Sequence, residues 1–407
     1  MSERTKVAVI GGGITGITTA YKLVTLGHDV TVFERHRYAA METSFANGGQ
    51  LSVSNAEVWN SWATILKGTK WIFTPGAPLL VNPKPSWHKL SWMAEFMRAI
   101  PNYEANTIET VRMALLARDH LLRIARDENI DFDIEYKGIL HFYETKEEFD
   151  AATKVTGILA KGGLTRRAVT PEEISKIEPS LLGNIYGGYY TDSDMTGDIH
   201  KFTNGLADAC DKHGAVMRFE RVVTGLDVTE DTVKIAHHST VDPKDQTTEA
   251  FNKIVICAGV GSRGFAAQVG DRVNIYPVKG YSITVNLMDE RDRKAAPWVS
   301  LLDDNAKIVT SRLGPDRFRV AGTAEFNGRN YDIRAARIDP LTTWCNRHFP
   351  DMSTRNVVPW AGLRPMMPNM LPKVGPGKNP RVLYNTGHGH LGWTLSAATA
   401  ELLGEFA

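Results

Sequence analysis

The sequence predicts an α/β protein in which a dinucleotide-binding fold is assembled from both ends of the chain, with a second, strand-rich part inserted in pieces. Three observations predict it. Residues 6–34 read as strand, glycine turn, helix and second strand. Residues 253–262 are a buried strand running into paired glycines. Residues 382–406 repeat the strand, glycine loop and helix at the other end of the chain. Gly11-Gly12-Gly13-Ile14-Thr15-Gly16 is a G-x-G-x-x-G directly after the apolar run Val7-Ala8-Val9-Ile10. Ile14, Ile17, Tyr21 and Val24 recur at helical spacing up to Gly27, and Asp29–Phe33 leads into an acid, Glu34.

Each part of the first unit has a physical task. Gly11 makes the tight turn, Gly13 lets backbone approach a pyrophosphate, and Gly16 lets the helix pack on the strand. Ile14 and Thr15 open the helix, whose free N–H groups and dipole favour phosphate. Glu34 is placed to accept from both ribose hydroxyls and to repel a 2′-phosphate, with Arg35 beside it. The stretch Glu42-Thr43-Ser44-Phe45-Ala46-Asn47-Gly48-Gly49-Gln50 is loop chemistry. Its Thr43, Ser44, Asn47, Gly48 and Gly49 offer hydroxyls and exposed N–H groups to a ligand; a surface turn is the plainer alternative.

Composition bounds the rest. At 407 residues, 43% apolar and 23% charged, the chain suits two globular domains sharing an interface. Net charge of +1 gives no electrostatic reason to expect nucleic acid. Cys210, Cys257 and Cys345 are isolated, so neither a disulfide framework nor a metal site is expected, and a reducing compartment fits. The first strand starts near residue 6, so no removable signal peptide is expected. With no run of 18 apolar residues, a cytoplasmic location is expected, or attachment to the cytosolic face of the inner membrane.

Between the two ends the pattern changes. Residues 57–100 hold Trp59, Trp62, Trp71, Trp87 and Trp92, interleaved with Lys67, Lys70, Lys84, Lys89 and Arg98 and broken by Pro75, Pro78, Pro83 and Pro85. They read as packed helical pieces over a cavity or as an interfacial patch touching a membrane. Residues 107–127 form an amphipathic helix, with Ile108, Val111, Leu115, Leu122 and Ala125 on its apolar face. Strands follow at 139–143 and 186–191 with a helix at 171–177 between them, then a helix over 198–213 and a strand over 215–219. A hairpin spans 225–236, and Phe251–Ala258 is a buried strand ending at Gly259. Cys257 inside it reads as a small hydrophobe. Residues 273–323 look antiparallel, 333–349 helical, and 382–385 a last strand before Gly387-His388-Gly389-His390-Leu391-Gly392-Trp393-Thr394 and a helix over 395–406.

Several motifs, taken together and in order, resemble one family. They are the glycine fingerprint with Glu34, Glu42–Asn47, Pro277-Val278-Lys279-Gly280-Tyr281-Ser282, Gly362-Leu363-Arg364-Pro365-Met366, and Gly387-His388-Gly389-x-Leu391-Gly392-Trp393-Thr394. They resemble the bacterial D-amino acid dehydrogenases, within the FAD-dependent amine oxidoreductases that include D-amino acid oxidase, glycine oxidase and sarcosine oxidase. The resemblance implies FAD, a glutathione-reductase-like Rossmann domain and a mixed-sheet substrate domain over the flavin. It implies oxidation of a D-amino acid to an imino acid, which water converts to a 2-oxo acid and ammonia, with electrons passed to an acceptor such as a membrane quinone. The division expected is 1–60, 198–270 and 356–407 for FAD, and 61–197 and 271–355 for the substrate. The chain departs from the usual pattern at Gly48, His390 and Ser54–Trp59. A cyclic or N-substituted amino acid, proline-like, is therefore a competing substrate. A flavin-carrying electron-relay subunit without turnover is an alternative function, and a nicotinamide enzyme leaves the C-terminal loop without a purpose. Oligomeric state is left open.

On this reading, Arg364 binds the substrate carboxylate bidentately, a structural ion pair being the plainer alternative; Tyr281 closes the cavity and hydrogen-bonds the substrate, or is an ordinary strand aromatic; and His388 touches the flavin pyrimidine or the substrate. Lys279 is expected beside the flavin or as a surface lysine. Cofactor contacts are expected from Val223, Ala258 and Gly259 and from Gly389, His390, Leu391, Gly392, Trp393 and Thr394, where the helix opening can stabilise charge on the reduced ring. His388-x-His390 has no third ligand, so no metal is expected.

Overall fold

Along the first strand, Val7 and Val9 face helices while Ala8 and Ile10 face a small antiparallel sheet, so a strand buried on both sides must read as a continuous apolar run. The computed structural model describes residues 4–72, 74 and 77–407, so Pro75 lies outside the described residues. Lys6–Ile10 lies parallel to Asp29–Phe33 on one side and to Lys253–Ile256 on the other, with Val9 opposite both Val32 and Val255. Val216–Arg218 extends this six-stranded sheet at one edge. Val382–Thr386 and then antiparallel Lys373–Pro376 extend it at the other. Helices Ile14–Thr25, Ile199–Lys212 and Gly392–Gly404 cover one face through Ile17, Leu23, Phe202, Leu206, Trp393 and Leu403. The other face carries the three strands Arg221–Val228, Val233–Ser239 and Gln246–Phe251.

A nine-stranded mixed sheet forms the second layer system. Its path runs Val357–Met366, Tyr276–Asn286, Arg317–Phe326, Ile308–Arg312, Ser300–Asp303, Ile139–Tyr143, Gly187–Thr191 and Arg167–Val169, with Leu79–Val81 pairing off it. Ser300–Asp303 and Ile139–Tyr143 pair in parallel; most other neighbours are antiparallel. Helix Ala335–His348 packs under it through Leu341, Trp344 and Cys345 against Ile283, Val285, Phe318 and Val320.

Among the elements that differ from the sequence reading, four show a plain physical reason. The helix expected over 107–127 runs Tyr103–Asp127 and buries Thr107, Thr110, Val111, Ala114, Ala117, Leu121 and Ala125. Ile108, Leu115 and Leu122 are only half-buried. Its neighbour is the small-residue helix Gly392–Gly404, and close approach selects a stripe of Ala and Thr over one of larger side chains. Lys146–Lys161 is a helix that the sequence reading leaves unassigned; a capping box of Thr145 and Glu148 starts it, but only Ala152 and Leu159 are buried. Val357–Met366 is a strand despite Pro359 and Pro365, because it is the sheet edge. The strand expected over 251–258 breaks at Asn252, where Gln246–Phe251 leaves one sheet and Lys253–Ile256 enters the other.

Candidate active site

Between the two sheets lies a cavity of about 740 Å³, long enough to run from Glu34 to Arg364. At its inner end Gly11 has φ +113°, and a Cβ there would stand 2.6 Å from the Cys257 carbonyl oxygen. A Cβ on Gly16 would stand 1.8 Å from the Gly11 carbonyl oxygen, which is the close helix–strand approach expected of it. Gly16 does not line the cavity; Gly11, Gly13, Ile14, Thr15, Glu34 and Arg35 do. Gly13 has only Ser44 Oγ, at 3.5 Å, near the place of a Cβ, so the protein itself does not demand glycine there. The helix behind it has no acid in its first turn; Ser44 takes the Ile14 N–H, and the Thr15 and Gly16 N–H groups, without a protein acceptor among the described residues, are left to an anion. Glu34 accepts from the Gly12 N–H at 2.7 Å and the His36 N–H at 2.9 Å, which fixes its carboxylate at the cavity wall. Val223, Ala258 and Gly259 line the same end.

The loop at residues 42–50 is pinned by the nine-stranded sheet. Ser282 donates to the Ala46 carbonyl at 2.7 Å, Arg319 to that of Asn47 at 3.0 Å, and Ser311 to that of Gly48 at 2.6 Å. The Asn47 and Gly48 N–H groups have no protein acceptor among the described residues and remain for a ligand. Thr43 donates to the Leu363 carbonyl, Ser44 accepts from the Ile14 N–H, and Asn47 Oδ1 accepts from the Gly49 N–H. Gly48 fits under Val309, whose Cγ2 a Cβ would approach to 2.7 Å. Arg319, which the sequence reading passes over, is buried enough to be pushed down to about 10.

At the outer end, Gly387 and Gly389 adopt φ +81° and +60°, and the loop they shape lines the cavity from His388 to Thr394 before the helix Gly392–Gly404. That helix also starts with no acid and no side-chain cap. Gly389 donates to the Pro365 carbonyl at 3.0 Å, tying this loop to the strand of Arg364. The Arg364 guanidinium lies over Gly280, where a Cβ would be 2.4 Å away, and donates to the Thr323 carbonyl at 2.9 Å. No carboxylate pairs with it among the described residues, and burial alone lowers it to about 10, so it stays charged at neutral pH. A guanidinium enclosed by the fold, facing a cavity and lacking a counter-ion, is a site for an anion.

Two expected roles need correction, and that of His388, which lines the cavity, is narrowed to one ring nitrogen. The Tyr281 hydroxyl donates to Glu325 at 2.7 Å, and its ring sits in the core beneath the sheet with Ile283 and Leu341. Successive strand residues face opposite ways, and Gly280 takes the Arg364 side. Tyr281→Phe is therefore expected to lower stability by about 1–3 kcal/mol through the loss of a donor to buried Glu325, with KM little changed; thermal unfolding and steady-state kinetics check this. Lys279 is buried and held by Asn330 and Glu325, away from the cavity lining. The His388 ring is hydrogen-bonded to Thr399 at 3.0 Å, so that nitrogen serves the helix. Burial pushes His388 down to about 3. The unfolded chain takes up a proton near pH 6.5 that the folded one refuses, so stability is expected to fall as pH drops below about 6.5, and His388→Asn to flatten that dependence in denaturant titrations.

The sequence reading also misses polar groups that the fold gathers at the cavity. Lys307 pairs with Asp304 at 3.1 Å, and both line it. Burial alone would raise the Asp304 carboxyl, but Lys307 and His141 outweigh it and hold it well below the usual range. Behind the lining residue Trp59, Glu57, raised by burial, accepts from the Tyr103 hydroxyl at 2.5 Å. Trp59 stacks on His390. These residues come from five separate segments, and Asp303-Asp304-Asn305 reads by itself as a surface turn.

The model of the family described as DAO, FAD dependent oxidoreductase, matches residues 6–406. The chain is 60% identical over 398 residues to D-amino acid dehydrogenase 3 of Mesorhizobium japonicum, covering 98% of this chain and 96% of that one. In fold it is similar to glycine oxidase from Geobacillus kaustophilus, with a TM-score of 0.75 at 20% identity over 100% of this chain and 95% of that one. It is equally similar to L-proline dehydrogenase from P. horikoshii, at a TM-score of 0.75 and 16% identity over 100% and 93%. From the first strand to the last helix, the chain belongs to the DAO family of FAD-dependent oxidoreductases.

Proposed function

We propose that the protein is a D-amino acid dehydrogenase that holds its substrate by the carboxylate. The observation that carries this reading is Arg364, an unpaired guanidinium at the far end of a cleft whose near end is built for an adenine dinucleotide. The relative at 60% identity bears that activity in its name. When bound, FAD accepts a hydride from the substrate α-carbon, chemistry no side chain here supplies. Arg364 would fix the carboxylate, and the buried walls would exclude water and favour the uncharged amine, whose lone pair assists hydride departure. The imino acid product would then hydrolyse to a 2-oxo acid and ammonia. Residues 1–60, 198–270 and 367–407 would serve the cofactor, and 61–197 and 271–366 the substrate; the boundary expected at 356 moves because Val357–Met366 pairs in the nine-stranded sheet. Purified protein mixed anaerobically with a panel of D-amino acids should lose its visible flavin band and release ammonia. Stable flavin colour with every amine would reject the enzyme reading in favour of an electron-relay subunit. Peroxide formed in air at the rate of substrate oxidation would replace dehydrogenase by oxidase.

The electron acceptor we assign to this reading is a membrane quinone. Support comes from residues 62–98, where Trp62, Leu66, Trp87, Leu90 and Met97 are exposed, and Lys67, Lys70, Lys84 and Arg98 lie at the surface among them. Lys89 does not join them; it is buried against the Asn82 and Lys84 carbonyls. Ile65, Thr69, Trp71 and Met97 of this region also line the cavity, so a patch seated on anionic lipid would bring the cavity to the bilayer surface. No helix among the described residues is long and apolar enough to cross a membrane. Vesicles containing anionic lipid should sediment the protein, and Trp62→Ser with Trp87→Ser should weaken binding by on the order of 10-fold or more. Equal recovery in the supernatant with and without vesicles would reject the membrane contact.

A further inference from the structure

Trp59 and His390 stack on the cavity wall with ring centroids 4.6 Å apart and planes 23° from parallel. Both His390 nitrogens are buried, and neither makes a hydrogen bond of good geometry among the described residues, although the Asn55 backbone carbonyl lies close enough to favour the protonated ring slightly. Burial, with the Arg364 charge adding to it, pushes the imidazole down to about 3, so at neutral pH it is uncharged. A neutral imidazole offers one N–H and one bare lone pair. The stack keeps the ring from swinging toward other partners, so both groups stay unsatisfied until something enters the cavity. Buried polar groups left unpaired are uncommon and unfavourable, and in a ligand cavity they mark the atoms a ligand is to meet.

Neighbouring groups narrow what that ligand atom is. Arg364, close enough to depress His390, is already assigned the carboxylate, so His390 meets a part of the substrate beyond it. Lys307 and Asp304 on the same wall are paired at 3.1 Å and contribute no net charge. The wall thus suits an uncharged group that both donates and accepts, which describes a hydroxyl or a carboxamide and not an alkyl chain. We propose that His390, held flat by Trp59, is a specificity-determining residue that selects D-amino acids whose side chain, open or cyclic, carries a neutral hydroxyl or carboxamide.

This rests on the dehydrogenase reading above, and its test separates the two. Anaerobic flavin reduction and steady-state kinetics would be measured with near-isosteric pairs: D-threonine and D-valine, D-asparagine and D-leucine, and 4-hydroxy-D-proline and D-proline. At least one polar member is expected to exceed its apolar partner in kcat/KM by about 30-fold or more, because an apolar partner leaves the imidazole unpaired. His390→Phe, which keeps an aromatic ring against Trp59, should bring that ratio close to 1, chiefly by raising KM for the polar member. His390→Asn, which retains a donor and an acceptor, should restore part of it. Flavin content of each variant reports whether it is folded. Bleaching by these amines with no polar preference in the wild type would overturn the inference while leaving the enzyme reading intact. So would an equal loss on every substrate in His390→Phe, since His390 would then act on the part all substrates share. No bleaching by any amine would overturn both.

Discussion

Replacing Arg364 by alanine is expected to lower kcat/KM for D-amino acids by on the order of 1,000-fold, since breaking a buried charge pair is worth about 3–5 kcal/mol. Most of the loss should appear in KM, because the carboxylate is held in the bound substrate as well as in the transition state. Arg364→Lys should recover only part, since an ammonium keeps the charge but loses the planar fork. The free variant should hold its stability or gain some, because in the absence of substrate Arg364 is a desolvated cation without a counter-ion. Activity lost while thermal stability is kept is the signature of a group retained for binding. A fall in stability with unchanged KM would mean that its bond to the Thr323 carbonyl is its whole purpose.

Two glycines of the same motif are expected to fail in different ways. In Gly16→Ala the new Cβ would meet the Gly11 carbonyl oxygen at 1.8 Å, and neither backbone can yield without parting helix from strand. The apoprotein should lose about 3 kcal/mol or more, read as poor soluble yield or a much lower Tm. In Gly13→Ala the nearest protein atom is 3.5 Å away and φ is −77°, so the apoprotein should fold normally. Its FAD affinity should nevertheless fall by on the order of 100-fold, because what needs the space is the pyrophosphate. Flavin absorbance after gel filtration and apoprotein Tm separate the two variants.

What the sequence made readable was what is local. The strand, the glycine turn, the helix and Glu34 lie within thirty residues, and backbone geometry forces each residue type. The glycines at 387 and 389 were equally readable, since positive φ demands them. Sequence alone does not decide between a cavity and a core place for Tyr281, because residues 276–283 are buried on both faces of their strand, so alternation, which usually tells inside from outside, carries no information there. Val357–Met366 was hidden by prolines that only an edge strand accommodates. The Lys307–Asp304 pair and the Trp59–His390 stack could not be foreseen as one wall, because their proximity is created by packing between distant segments. His390 stands out in the sequence as a departure from the family's loop and as an expected cofactor contact, and the structure gives that departure a surrounding in which it has chemical meaning.

The most direct measurement of the central claim is anaerobic reduction of the bound flavin by one D-amino acid, its L-enantiomer and its carboxamide. If Arg364 holds the substrate carboxylate beside the cofactor, the D-amino acid bleaches the flavin at least about 100-fold faster than either analogue, and Arg364→Ala erases the difference between acid and carboxamide. Reduction of the wild type by the carboxamide at the rate of the acid would contradict the account.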